Sequence, residues 1–235
     1  MSYAVRRRLA TSAAALLLSV TACSDEGGSE GEEEAPAPED RLADAKALID
    51  DAPSVDFTIV TKRLPSGING LLEADGSGTN APAFDGIARV SVRGAPVDAE
   101  VISVDGTVHA KVGFVPTFVE LDPATIGAPD PADFFDTEEG VSSLLVATDD
   151  LEEGEAERDG EEVLTTITGT LQGELLKALL PTADEAGTFD VTYLLTEEDL
   201  LTGIEVTGPF YAGSDDVTYD LTIDPSDESV EITAP

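Results

Sequence analysis

The sequence holds one cysteine, Cys23, and one histidine, His109. A thiolate is intrinsically very nucleophilic, and an imidazole is the commonest general base. Together they do not make a catalytic centre. His109 falls on a predicted strand, on the face opposite the apolar row, and no Gly-x-Ser-x-Gly elbow supplies a serine partner. Zinc would need further Cys or His ligands, and no glycine loop ending in lysine is present to cradle phosphate. The acidic run over residues 149–159 lacks the spacing of a calcium loop and reads as a solvated edge. The expectation is a protein that is not an enzyme and uses no metal or cofactor.

The surroundings of Cys23 give its thiol a different use. A basic cluster (Arg6, Arg7, Arg8), an apolar run over residues 9–20 and the tetrad Val20-Thr21-Ala22-Cys23 precede it. A charged head, a short apolar stretch and small residues at a cut site make a secretory signal peptide, here residues 1–22. A cysteine directly after that site resembles the lipobox of bacterial lipoproteins, which implies that Cys23 carries diacylglycerol and becomes the acylated N-terminus. Residues 9–20 are too few to span a bilayer, so the mature chain is expected outside the cytoplasm, held by lipid on the outer leaflet of the cell membrane.

Charge bounds the partners. The chain has 12 Lys and Arg against 49 Asp and Glu, a net charge of −37. Loss of the three signal arginines takes the mature chain to −40. Such a surface repels nucleic acid. The absence of tryptophan also argues against a base- or sugar-stacking platform. Residues 23–39 hold the lipidated cysteine and a Gly/Glu/Pro-rich stretch expected to be a disordered acidic tether, and residues 40–235 are expected to form a single domain.

Within that domain, Leu42, Ala45, Leu48 and Ile49 predict a helix over residues 40–50 with Asp40 as N-cap, ended by Pro53. Thereafter the dominant period is two. Apolar residues alternate with polar ones at Val55/Phe57/Ile59, Ala88/Val90/Val92, Val97/Ala99/Val101 and Val108/Ala110/Val112, with Asp105-Gly106 as a hairpin turn. Further strands are predicted around Val163–Ile167, 189–195, 204–206 and 217–223, with Val230 and Ile232 as candidates for a short edge. Two more helices are expected, one carrying Val141, Leu144, Leu145 and Thr148, the other over residues 171–180. Short connections imply an antiparallel sheet, and one-sided alternation implies one buried face.

About eight strands make a face of roughly 870 Å², of which three short helices cover roughly 500 Å². The remainder needs a partner. The sheet can curl on itself, the chain can dimerise, or something apolar can occupy the face. Candidates for lining such a pocket are Val55, Phe57, Ile59, Ala88, Val90, Val92, Val97, Ala99, Val101, Val108 and Ala110, with Val141, Leu144 and Leu145 from the facing helix.

Residues 97–110, from Val97-Asp98-Ala99 through Asp105-Gly106 to His109-Ala110, resemble the central hairpin of the LppX/LprA/LprF/LprG family of mycobacterial and related actinobacterial lipoproteins. The lipobox, the Leu64-Pro65-Ser66-Gly67 loop, Asp130-Pro131-Ala132 before Gly140-Val141, and Glu155-Ala156-Glu157-Arg158-Asp159-Gly160 follow in the right order. A departure is the lack of tryptophan after the hairpin, where Phe118 stands nearby. The resemblance implies an α+β, lipoprotein-carrier-like fold: a strongly bent antiparallel half-barrel with helices across its concave face, enclosing an apolar cavity. It implies acylated glycolipid or triacylglycerol ligands carried across the envelope, with an inner-membrane lipid exporter as a partner. A non-enzymatic scaffold or accessory subunit of such an exporter or of an assembly complex is the competing expectation.

Overall fold

Period-two alternation builds one sheet of eleven strands. The computed structural model describes residues 36–235 except residues 114 and 161; the signal segment, Cys23 and the tether up to residue 35 lie outside the described residues. In chain order the elements are α1 (Pro38–Asp51), β1 (Ser54–Thr61), β2 (Gly70–Thr79), β3 (Ala83–Val92), β4 (Ala95–Val104), β5 (Thr107–Val112) and β6 (Val119–Leu121). Two 3-10 segments (Pro123–Ile126 and Pro131–Phe135) lead to α2 (Val141–Val146). Then come β7 (Asp149–Asp159), β8 (Glu162–Gln172), α3 (Gly173–Leu179), β9 (Thr188–Leu195), β10 (Leu201–Gly208) and β11 (Val217–Ser226).

The strand order is β6-β5-β4-β3-β2-β1-β11-β10-β9-β8-β7, antiparallel throughout. Two meanders, β1–β6 and β7–β11, join where β1 meets β11, with Phe57 opposite Ile223. The sheet does not close, and β6 and β7 are its edges. Register shifts on β2, β7 and β10 mark bulges, which bend and twist a strand locally.

Helix α1 starts at Pro38, not at Asp40. Pro38 follows an N-cap at Ala37, and Glu39 and Asp40 sit in the first turn, where the helix dipole favours acids. Its far end is held by one side chain: the Asn80 amide donates to the carbonyls of Ile49, Asp50 and Ala52. Arg41 pins the other end. Its guanidinium donates to Asp199 at 2.5 Å, to Glu153 at 3.0 Å and to the Thr196 carbonyl at 3.0 Å.

Three strands exceed the eight or so expected. β2 is rich in glycine and shows weak alternation, β6 has three residues, and the acidic run 149–159 is itself the edge strand β7. Val230 and Ile232 join no strand, and Leu171 belongs to β8, which runs to Gln172, so the helix opens only at Gly173. Helix α2 stops at Val146, and the Thr148 hydroxyl turns back to the Leu144 carbonyl at 2.7 Å.

The two meanders are packed unequally. Over β8–β11, Ile167, Leu171, Phe189, Val191, Tyr193, Leu195 and Ile204 are all at most 2 % exposed. The Tyr193 hydroxyl lies 2.7 Å from Thr148 and donates to the Leu144 carbonyl, which ties α2 to the sheet. Over β3–β5 the same face thins out: Val92 is 43 % and Val112 40 % exposed.

Candidate apolar binding site

An apolar pocket of about 50 Å³ lies between the middle of the sheet and the helical cover. Val55, Phe57 and Ile59 of β1 and Leu221 and Ile223 of β11 form its floor, placed by the register that sets Phe57 against Ile223 and Ile59 against Leu221. Ile49 of α1, Phe134 and Phe135 of the second 3-10 segment, and Val141 of α2 form its roof. Its polar lining is Asn80 and Ser142. Both are already engaged, Asn80 with the end of α1 and the Ser142 hydroxyl with the Asp50 carboxylate at 2.7 Å. Such a space can hold an apolar group and offers no group for acid–base or nucleophilic chemistry.

Beside the pocket, three phenylalanines cluster on the same face of the sheet. Phe57 lies 5.6 Å from Phe84 and 5.4 Å from Phe135 between ring centroids, and Phe84 and Phe135 are stacked at 6.4 Å. The sheet beneath them has almost no side chains. A Cβ at Gly78 would fall 2.2 Å from the Phe135 ring, and one at Gly86 2.5 Å from Phe84. The neighbouring floor positions are Ala74 and Ala88, paired across β2 and β3. The rings sit directly on backbone, filling volume that small floor residues leave.

The 3-10 segment that delivers Phe135 is held by one carboxylate. Asp130 accepts from the Ala132 amide at 3.0 Å and from the Ser103 hydroxyl at 2.5 Å. Next to it, burial, followed by the nearby carboxylates of Asp130, Asp136 and Glu139, raises the pKa of Asp133 above its ordinary value. The rim is acidic.

Of the residues expected to line a pocket, Val55, Phe57, Ile59 and Val141 do so. Leu144 and Leu145, 4 % and 1 % exposed, are packed into the core instead. Val108 and Ala110 are buried on β5, and Ala88 and Val101 are half-buried against the core. Val90, Val97 and Ala99 share the pocket's face of the sheet through the Val90–Val97 and Ala88–Ala99 pairs but lie away from the pocket, half-buried, with Val92 exposed beyond them. They form a strip the helices do not reach. His109, opposite Ile102 and Glu120, points the other way, and its Nδ1 is buried without a hydrogen-bond partner among the described residues.

Sequence reasoning missed Phe84, Phe135, Ile49, Leu221 and Ile223. Phe84 continues the Ala88/Val90 alternation upstream through Gly86, so reading the row two steps further would have found it. Phe135 lies on a short 3-10 turn with no periodicity to reveal it.

Among the described residues no group of three or more His, Cys, Asp or Glu side chains could hold a metal ion, and no helix is long and apolar enough to cross a membrane. The family model described as LppX_LprAFG lipoprotein matches residues 37–234. Two solved structures are similar in fold. LprF from Mycobacterium bovis aligns with a TM-score of 0.65 and 16% identity, covering 84% of this chain and 96% of that one. The lipoprotein LppX of Mycobacterium tuberculosis aligns with a TM-score of 0.59 and 16% identity, covering 85% and 100%. Among curated proteins, none matches by sequence.

Proposed function

The chain belongs to the LppX_LprAFG lipoprotein family, and from that premise we propose that it binds acyl chains of envelope lipids between its sheet and helical cover and carries them across the envelope. In this reading Cys23 bears the lipid that anchors the mature protein, after a signal peptide over residues 1–22 and ahead of the acidic tether, to the outer leaflet of the cell membrane. Its cargo is an acylated glycolipid or a triacylglycerol, received from or passed to an inner-membrane exporter.

The observation that carries the reading is the glycine and alanine floor under the phenylalanine trio. A core that only needed filling would use larger floor residues. Here Gly76, Gly78 and Gly86 leave a trough, and aromatic rings fill it. The open space of about 50 Å³ is that of one or two water molecules, so an acyl chain must displace the rings. Swinging Phe135 out with its 3-10 segment would join the pocket to the uncovered strip at Val90, Val97 and Ala99. Each methylene so buried contributes about 0.8 kcal/mol, so a few turns of chain offset the loss of the ring contacts.

Transfer of a pyrene-labelled triacylglycerol between donor and acceptor vesicles tests this. The full acylated chain should accelerate transfer over the spontaneous rate. A variant whose trough is filled, Ala88→Trp, should not. Equal rates with and without protein would overturn the reading.

A further inference from the structure

One end of the first meander carries no carboxylates, in a chain otherwise dense with them. Residues 62–72, 90–97 and 111–119 contain no Asp or Glu, although the chain's average would place about six in that length. These are the β1–β2 loop, the β3–β4 turn and the β5–β6 connection with their flanks, and antiparallel order brings all three to the same end of the sheet. The Arg93 amide donates to the Asn69 side chain at 2.7 Å, joining turn to loop. The Gly113 amide donates to the Asp98 carbonyl at 3.0 Å, and the Lys111 ammonium sits 5.9 Å above the Phe118 ring.

The side chains presented there combine charge with apolar area. Arg63 and Arg93 are exposed, and among the described residues neither forms an ion pair. Around them Val92, Val112, Val115 and Val119 are 43 %, 40 %, 47 % and 54 % exposed.

We infer that this end docks on a bilayer surface bearing anionic headgroups, with the arginines meeting phosphates and the valines entering the interface. The expected mature net charge of −40 repels such a surface overall. With a screening length of about 8 Å at physiological ionic strength, contact depends on the groups at the docked surface, and the first meander's part of this end permits it because it lacks the carboxylates that the neighbouring β10–β11 connection carries at Asp215 and Asp216. Each arginine near an anionic leaflet strengthens attachment about fivefold, and inserted apolar side chains add to it. An acidic protein would also suit the arginines, but the exposed valines favour lipid. They run on into the strip at Val90 and Val97, which a docked molecule brings to the bilayer. The inference goes beyond the carrier reading and does not need it: a protein could dock this way with no cargo, or carry cargo without docking.

The chain has no tryptophan, so a single introduced one is a clean reporter. The full acylated chain would be placed in phosphatidylcholine vesicles with brominated acyl chains, with and without phosphatidylglycerol. Val115→Trp should be quenched strongly in the anionic vesicles, and Ala81→Trp, on the exposed β2–β3 turn at the opposite end, should not. Adding Arg63→Glu and Arg93→Glu to the Val115→Trp chain should remove more than half of the quenching, with the thermal midpoint unchanged because both side chains are exposed. Equal quenching at the two positions overturns the inference. So does quenching that is the same without phosphatidylglycerol, and so does none at either position, the result expected if this end binds an acidic protein.

Discussion

Phe135 lies flat on Gly78, so close that a single added Cβ would stand 2.2 Å from its ring. The contact joins a 3-10 turn to the middle of the sheet and, with Phe57 and Phe84, fills the space a ligand would need. Two substitutions read that contact from its two sides.

Gly78→Ala should destabilise the unliganded protein by about 1–3 kcal/mol, the usual cost of overpacking, although alanine is the better strand residue. The ring has to leave its seat, and the uptake of a fluorescent acyl probe should rise. Urea unfolding and probe titration measure the two effects. Unchanged stability would mean that the ring is not seated on this glycine.

Phe135→Ala should cost about 3–5 kcal/mol of stability by leaving a cavity beside Phe57 and Phe84. The same change should tighten binding of the acyl probe, because no ring has to be displaced. Opposite signs for stability and affinity identify a plug. Loss of both would identify an ordinary core residue.

Arg41→Ala should lower stability by about 2–3 kcal/mol, less than the full cost of breaking a buried ion pair because Glu153 keeps some access to water. Arg41→Lys should recover little of it, since one ammonium cannot reach Asp199, Glu153 and the Thr196 carbonyl together. Urea midpoints of the two variants check this, and full recovery by lysine would contradict it.

Burial raises the pKa of Tyr193, Tyr211 and Tyr219 above the ordinary tyrosine value, and the Tyr211 and Tyr219 hydroxyls lie 2.7 Å apart. Above about pH 10 the unfolded chain releases phenolic protons that the folded one retains, so the folded state binds more protons there. Stability from these groups is therefore complete below about pH 10 and falls as pH rises beyond it. Chemical denaturation from pH 8 to pH 11.5 should show that decline, made shallower by Tyr219→Phe. An identical slope in the variant would contradict the assignment.

Much of the architecture was legible because strand side chains alternate. Val55/Phe57/Ile59 and Val97/Ala99/Val101 fall on one face of the sheet as their alternation predicts, and Asp105-Gly106, at φ of 53° and 69°, makes the predicted hairpin. β2 was illegible because its glycines at 76 and 78 serve the rings above them, which erases the alternation. The acid-rich β7 was hidden for the opposite reason: as an edge strand it packs little, so its composition is that of a surface. The pocket was legible in part. Its floor follows from period two, but its roof depends on where α1 and the segment Pro131–Phe135 fold back, and that is set by contacts such as Asn80 with the end of α1 and Ser103 with Asp130, far apart in sequence.

Native mass spectrometry of the full acylated chain, purified from the envelope membranes of its own host and released gently from detergent, addresses the carrier reading most directly. The expected result is a population heavier by the mass of one multi-acylated lipid beyond the anchor on Cys23, and loss of that population in Ala88→Trp. Protein carrying its anchor alone, in both forms, would contradict it.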